Sequence, residues 1–541
     1  MFSKCSLLGA LLLFSVFINA QCDEDTEERV LLVGDSWAFF MNVDRTINNV
    51  LRDWGHTEKR YYTNTTLSEN GARITDFLQA DKQNEIATQL QNRPTIDYVH
   101  LSIGGNDVLG NWEVSFTEQE VDSLKDEVMD NLIEIIEFIK DLRPDIKILW
   151  SGYVYTNFQE VIEGFLFPSN HPFYSTWSGM EYPDNATINQ VLIDFSEQLD
   201  DYFANDDRVD FFPVPGLMQY TFGQNNPLGV EPFGTYPAFE APLPNGYPEY
   251  PSPQNSMRDY ALTKDCFHLS AKGYYDLISY HTQKYYHKEL MDRFVLAEGN
   301  NFSATISSES EVSEDLIFGS NNGVVQQPVL HFPTNNFPDS IIKRASIYLH
   351  IKDEVGNNPF DEAIEISMKQ GFFGENATVS SADLNDAPTV SGSPCVFGNI
   401  DKGNWVRVDI PSSFYPYLME QNSVEFLLHS ESFGLVEISG TDDSEFAPVF
   451  EIQYDGTASN EEVEIAQGPV LSIFPNPTQG IFTVKLGENE LLDKVVIIDA
   501  QGRVVHEGEG TTFDIANEPN GLYLVKVFSA NSFYTSKLLK N

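Results

Sequence analysis

Four short stretches carry side chains that can do chemistry together. VLLVGDSWAFF (30–40) sets Ser36 in a Gly-Asp-Ser turn just past a run of apolar residues. A hydroxyl alone is a poor nucleophile near neutral pH and needs a base, usually an imidazole held by a carboxylate. Of the ten histidines, His268 stands out. DCFHLSAKGYY places Asp265 three residues before it and a helical run after it, so both side chains fit on one loop. The carboxylate would hold one ring nitrogen and leave the other to take the Ser36 proton. LSIGGNDVLG adds Gly104 and Gly105 for a tight turn and Asn106 as an amide donor where an oxyanion would form. The Gly71 turn in SENGARITDF offers a backbone N–H for the same purpose. Singly, each stretch is ordinarily a turn or a helix cap; together they fill every role in acyl transfer.

Such groups need a scaffold that brings distant loops to one place. From Arg29 to about Val295 the chain alternates short β-like runs with helical patterns: RVLLV, KRYYT, DYVHLSI, IKILWSG and VDFFPV read as strands covered on both faces. A helix is expected from Thr117, whose hydroxyl can cap with Glu120, to Pro144, with Val121, Leu124, Val128, Leu132, Ile135, Ile136, Ile139 and Leu142 as its apolar stripe. The series predicts an α/β fold with an open parallel sheet and helices on both sides. Ser36 and Asn106 would then lie past the carboxyl ends of two strands, where ligands meet such sheets. FLFPSNHPFYSTW and PFGTYPAFEAPLPNGYPEYPSP, rich in Pro and aromatics, read as ordered loops walling a binding cleft.

Taken in order, GDSW, NGAR, GGND and DCFH resemble the blocks of the SGNH family, also called GDSL hydrolases, over residues 29–295. The resemblance implies a three-layer α/β/α, flavodoxin-like domain with a five-stranded parallel sheet. It implies Ser36 as nucleophile, His268 as base and Asp265 as the residue orienting that base. The Ser36 and Gly71 backbone amides and the Asn106 side chain would form the oxyanion hole. Trp37 stands where the family has Leu, which reads as a packing change, and the Gly71 block is the loosest match. The Gly-x-Ser-x-Gly elbow of α/β-hydrolases is absent around Ser36.

Beyond this region the pattern changes. ASIYLHIK, AIEISMKQ, WVRVDI, SVEFLLHS and VFEIQYD are strands without intervening helices, which predicts an antiparallel sandwich over residues 301–455. An acidic linker at 456–469 leads to a small all-β region, 470–541. There FPNPTQG, IFTVKL, VVIIDAQGRVV, NGLYLVKV and YTSKLLKN resemble, in order, the C-terminal sorting domain of the type IX (Por) secretion system of Bacteroidetes. That resemblance implies handling by the type IX machinery and export across the outer membrane. Residues 1–20, with Lys4, an apolar centre and a small-residue exit at Ala20, read as a secretory signal peptide, so the catalytic domain is expected over 21–297.

With 32 Lys+Arg against 81 Asp+Glu the formal charge is −49, which repels phosphate backbones and excludes nucleic acid as a natural partner. Cys22, Cys266 and Cys395 remain after the leader, without a Cys-x-x-Cys pair, and Cys266 reads as a packing residue. His281 and His287 are six apart and do not share a helical face, so no metal site is assigned and no cofactor is called for. The expectation is a secreted serine hydrolase of carboxylic esters, working through an acyl-enzyme on an acylated glycan or an acyl lipid. The sorting resemblance, the sandwich and the negative charge tilt this towards glycans. A contrasting reading, a noncatalytic carbohydrate-binding surface protein, would be expected to lack some member of the Ser36, Asn106, Asp265 and His268 set. All four catalytic groups precede Val295, so the site is expected to owe nothing to the later β regions.

Overall fold

The computed structural model describes residues 26–224, 235–291, 293–334, 337, 341–362, 364–398, 402–418, 422–443, 445–454, 472–485, 492, 494–499, 504–508, 510–529 and 532–541. The leader, Cys22 and the acidic linker lie outside them. The chain divides into two compact units, parting between Gly456 and Thr457.

In the first unit the five apolar runs become parallel strands: β1 (Glu27–Gly34), β2 (Lys59–Tyr62), β3 (Tyr98–Ser102), β4 (Lys147–Ser151) and β5 (Val209–Phe212), in the order β2-β1-β3-β4-β5. Strand side chains alternate between faces, and β1 shows what that requires here. Val30 and Leu32 enter a core with Trp37, Leu277 and Ile278, while Leu31 and Val33 enter another with Leu132, Ile135 and Ile139. Apolar residues at consecutive positions therefore call for helices on both sides, and the result is the α/β/α architecture. The Glu118–Leu142 helix starts as its sequence dictates: Thr117 accepts from the Glu120 N–H, and the Glu120 carboxylate returns the bond to the Thr117 N–H. It buries Val128, Met129, Leu132, Ile135, Ile136 and Ile139. The order of the strands reverses between β1 and β3, and the loops leaving these two strands open a crevice.

The middle region is antiparallel. The long strand Ile342–Gly356 serves two sheets: its first half pairs with Trp405–Asp409 and Val449–Tyr454, and from Ile351 on, across an irregularity before Asp353, it pairs with Gly434–Ile438. Ile347, Val406 and Phe450 of one sheet share a core with Phe318, Leu330, Phe426 and Val436 of the other, which makes a sandwich.

The division expected at 297–301 falls inside a packed contact. Phe294–Leu296 pairs with Val449–Glu451 of the sandwich. Trp54, Tyr286 and Leu290 of the α/β region lie in one apolar cluster with Tyr348, Trp405 and Val449. The Tyr348 hydroxyl donates to the Trp54 carbonyl at 3.1 Å, the Arg407 guanidinium to the Asp53 carbonyl at 2.6 Å, and the Gln453 amide to the Gly55 carbonyl at 2.8 Å.

The second unit is all β. Ser472–Phe474, Ile481–Lys485 and Thr512–Asp514 form one small sheet, and Lys494–Asp499, Val504–Gly508, Gly521–Ser529 and Ser532–Lys540 another. Phe482, Val484, Val495, Ile497, Phe513, Val525 and Leu538 fill the core.

Candidate active site

Ser36 opens helix α1 (Ser36–Val43) directly after β1. The turn between them is possible because residue 34 is Gly: a Cβ there would stand 1.8 Å from the Ser102 carbonyl oxygen of β3. Asp35 caps α1, its carboxylate accepting from the Trp37 N–H at 2.9 Å and from the Tyr153 hydroxyl at 2.7 Å. Burial pushes the Asp35 carboxyl up to about 6, although these bonds and the nearby His268 favour its charge.

The strand Thr263–Leu269 carries Asp265 and His268. His268 Nε2 lies 2.8 Å from Ser36 Oγ, and His268 Nδ1 lies 2.8 Å from an Asp265 carboxylate oxygen. The second Asp265 oxygen accepts the backbone N–H groups of Phe267 and His268, each at 2.9 Å. These bonds lock the carboxylate, and the carboxylate locks the ring. The Phe40 and Phe267 rings flank the imidazole at centroid distances of 4.8 and 4.3 Å. All three polar groups are buried, so their mutual attractions act in a medium poorer than water.

The other two blocks are knitted to this pair. The Gly34 N–H donates to the Leu67 carbonyl, the Glu69 N–H to the Gly34 carbonyl, and the Asp35 N–H to the Ser102 carbonyl. Asn106, in the short helix Gly105–Leu109 after β3, donates from Nδ2 to the Ala72 carbonyl at 2.9 Å. Asp107 accepts the Ile74 N–H at 3.1 Å, and burial raises its carboxyl to about 6. Gly71 is exposed at the tip of that turn with φ of +83°, a conformation suited to Gly. Ser36, His268 and Asp265 are thus in contact. Asn106 and Ser36 share one pocket wall, and Gly71 adjoins Ala72, the residue holding the Asn106 amide.

The pocket beside Ser36 is small, about 40 Å³, and its walls are overwhelmingly apolar. Much of its lining comes from two segments. The Asn185–Phe203 helix contributes Ile188, Val191, Leu192 and Phe195, and the short helix of Asn106 with the residues just after it contributes Val108, Leu109 and Trp112. The buried Thr156 hydroxyl lines it without a hydrogen-bond partner among the described residues.

Residues 32–275 match the model of the GDSL-like lipase/acylhydrolase family. They are a GDSL-type acylhydrolase domain. The enzyme is accordingly a carboxylic ester hydrolase. Residues 472–541 match the secretion system C-terminal sorting domain, which directs the GDSL hydrolase to the cell surface or exterior by the type IX route. Solved structures similar to the hydrolase include a GDSL-like lipase from Bacteroides thetaiotaomicron, at 14% identity over 49% of this chain and 89% of that one, TM-score 0.27. A family 3 carbohydrate esterase from Clostridium thermocellum is similar at 16% identity over 48% and 94%, TM-score 0.26. No curated protein matches the chain.

Two expectations change. The Pro- and aromatic-rich loops do not wall the pocket: no residue of 165–177 or 232–253 lines it among those described. Phe173 and Trp177 instead pack in an apolar cluster with Trp112 and Phe158. The second loop is held by side-chain amides. Gln219 donates to the Tyr247 and Tyr250 carbonyls, Asn189 to Pro248 and Tyr250, and Asn157 to Ser252. A Pro-rich loop cannot satisfy its own carbonyls by a regular ladder, and these amides do it.

Trp37 is more than a packing change. Its indole N–H donates to the Phe267 carbonyl at 3.1 Å, and its ring meets Tyr153 and Tyr274 edge-on at 4.8 and 5.4 Å. Sequence reasoning also missed Tyr153 and the Asn185–Phe203 helix. The helix had a readable signal in Asp184 as cap and apolar residues at 188, 191, 192, 195 and 199; Tyr153 had none. Cys266 and Cys395 are free thiols, and burial pushes that of Cys266 up, away from reactivity.

Proposed function

We propose that the enzyme cleaves carboxylic esters by double displacement on Ser36, and the observation carrying this is the unbroken Ser36–His268–Asp265 chain of contacts. His268 Nε2 takes the Ser36 proton as Oγ attacks the acyl carbon, and Asp265 holds the imidazole with Nε2 facing the nucleophile. The negative charge gathering on the former carbonyl oxygen is met by the Asn106 amide, by the Ser36 N–H and by the Gly71 N–H. The Ser36 amide belongs to the first turn of α1, where donors lack intrahelical acceptors. His268 then returns its proton to the departing alcohol, leaving an acyl-enzyme. A water, deprotonated by the same ring, releases the acid.

The substrate class spans acylated glycans, with polysaccharide deacetylation as one case, and acyl lipids. Export by the type IX route is compatible with either class. The test is turnover of p-nitrophenyl butyrate by the full chain and by Ser36→Ala, with a fluorophosphonate as covalent probe. Turnover lost in Ser36→Ala and a single adduct on Ser36 are expected. Persistent turnover in Ser36→Ala, or an adduct elsewhere, would overturn the assignment.

A further inference from the structure

A cleft of about 580 Å³ lies where the α/β region meets the sandwich, a size and a position typical of ligand sites. None of its lining residues lines the pocket beside Ser36. Lys272, Tyr275, Asp276, Ser279 and Gln283 recur at three- and four-residue steps, so one face of the helix Ala271–His281 and its continuation turns to the cleft. Tyr220, Phe239 and Tyr280 add rings from the α/β region, and Phe397 adds one from the sandwich.

Two of these residues are held at a cost. Phe239 has φ of +69°, unfavourable for a bulky side chain, yet its ring stays 53% exposed and meets Tyr220 edge-on at 5.4 Å. Gln283 is buried, and its Oε1 has no hydrogen-bond partner among the described residues. It stands in the π-helical turn Thr282–Tyr286, a rare widening that recurs at functional sites. A buried amide oxygen of this kind calls for a donor from outside the chain.

Flat rings beside fixed polar groups suit a pyranose, whose faces carry C–H bonds and whose rim carries hydroxyls. An acyl chain would instead press hydrocarbon against Gln283 and Asp276. The Lys272 ammonium already meets the Asp276 carboxylate at 2.7 Å, so this pair brings no net charge for an ionic ligand. We propose that the cleft binds neutral pyranose units of a glycan, stacked on Phe239 and Tyr280 and bonded through Gln283. It holds the enzyme on a polymer independently of the chemistry at Ser36.

Affinity electrophoresis of the full chain in gels containing arabinoxylan, galactomannan or mixed-linkage β-glucan tests this. Retarded migration in at least one gel is expected. Phe239→Ala should weaken the binding roughly tenfold and Gln283→Leu about fivefold, with unaltered thermal unfolding reporting that each variant is folded. Free migration of the unsubstituted chain in all three gels, or retardation unchanged in the folded variants, would overturn the site. Binding to phosphatidylcholine vesicles in place of the polymers, lost in Phe239→Ala, would also overturn it and make the cleft a lipid-docking face. Ser36→Ala should be retarded as the parent is, so the serine mechanism and the glycan site fail or stand separately.

Discussion

The indole N–H of Trp37 donates to the backbone carbonyl of Phe267, 230 residues away in sequence and adjacent to His268. Ser36 is the neighbour of the donor and His268 the neighbour of the acceptor, so this one bond ties the helix of Ser36 to the strand of His268. The 2.8 Å contact between Ser36 and His268 depends on those two elements keeping their spacing.

Trp37→Phe keeps an aromatic ring against Tyr153 and Tyr274 and removes the donor. An orphaned carbonyl costs about 1–3 kcal/mol, and the expected consequence is a kcat roughly tenfold lower on p-nitrophenyl butyrate with KM within about twofold. A variant that loses thermal stability while keeping kcat would show that the indole only packs.

Asn106→Ala should lower kcat by about 10²–10³-fold with KM nearly unchanged, the size expected for one oxyanion donor. Steady-state kinetics on a small ester decides it. A raised KM at constant kcat would make Asn106 a substrate-binding residue instead.

Acid should destabilise the hydrolase through its buried imidazoles. Burial holds His56, His100 and His287 at about 3, far below their ordinary 6.5. Their contribution to stability is complete above pH 6.5. It is lost as the pH falls towards 3, because the unfolded chain takes up protons that the fold refuses. Neither ring nitrogen of His56 has a hydrogen-bond partner among the described residues, so His56→Phe removes a titrating group without breaking a bond. Urea unfolding at pH 7.5 and pH 5 should shift the balance between variant and parent by about 2 kcal/mol in the variant's favour at the lower pH. An unchanged difference would mean that His56 does not titrate on unfolding.

A chain cut after Ala297 should fail to yield soluble monomer, whereas one cut within 456–469 should fold and turn over p-nitrophenyl butyrate at the full rate. The first cut uncovers Trp54, Tyr286 and Leu290, which share their core with Tyr348, Trp405 and Val449. Gel filtration of the two truncated chains distinguishes this from the expectation that the catalytic region is self-sufficient. No sandwich residue lines the pocket beside Ser36 among those described, yet Tyr348, Trp405 and Val449 of the sandwich share one apolar core with Trp37 and Tyr274 of the α/β region.

The parts that were legible had local causes. Strand runs such as RVLLV announce a doubly covered sheet because both faces of β1 are apolar, and Thr117 with Glu120 announces a helix start because two side chains satisfy two orphan amides. The pairing of Asp265 with His268 was readable because three residues of one strand end hold both groups. The cleft walls were misplaced because aromatic content marks burial without saying against what: Trp177 and Phe173 bury against their own neighbours.

By itself the sequence determined the order of the elements, the parallel sheet and the β character of the two later regions, and it named the candidate residues for acyl transfer. These follow from side-chain periodicity and from residue types whose chemistry is intrinsic. Only the tertiary structure decided which groups meet. The distance from Ser36 to His268, the bond from Trp37 to Phe267, the apolar pocket that Ser36 lines together with Ile188 and Leu192, and the core shared by Trp54 and Tyr348 all join residues far apart along the chain. Contacts of that kind are set by how whole faces pack, and the local pattern marks a face as buried without saying which face it meets.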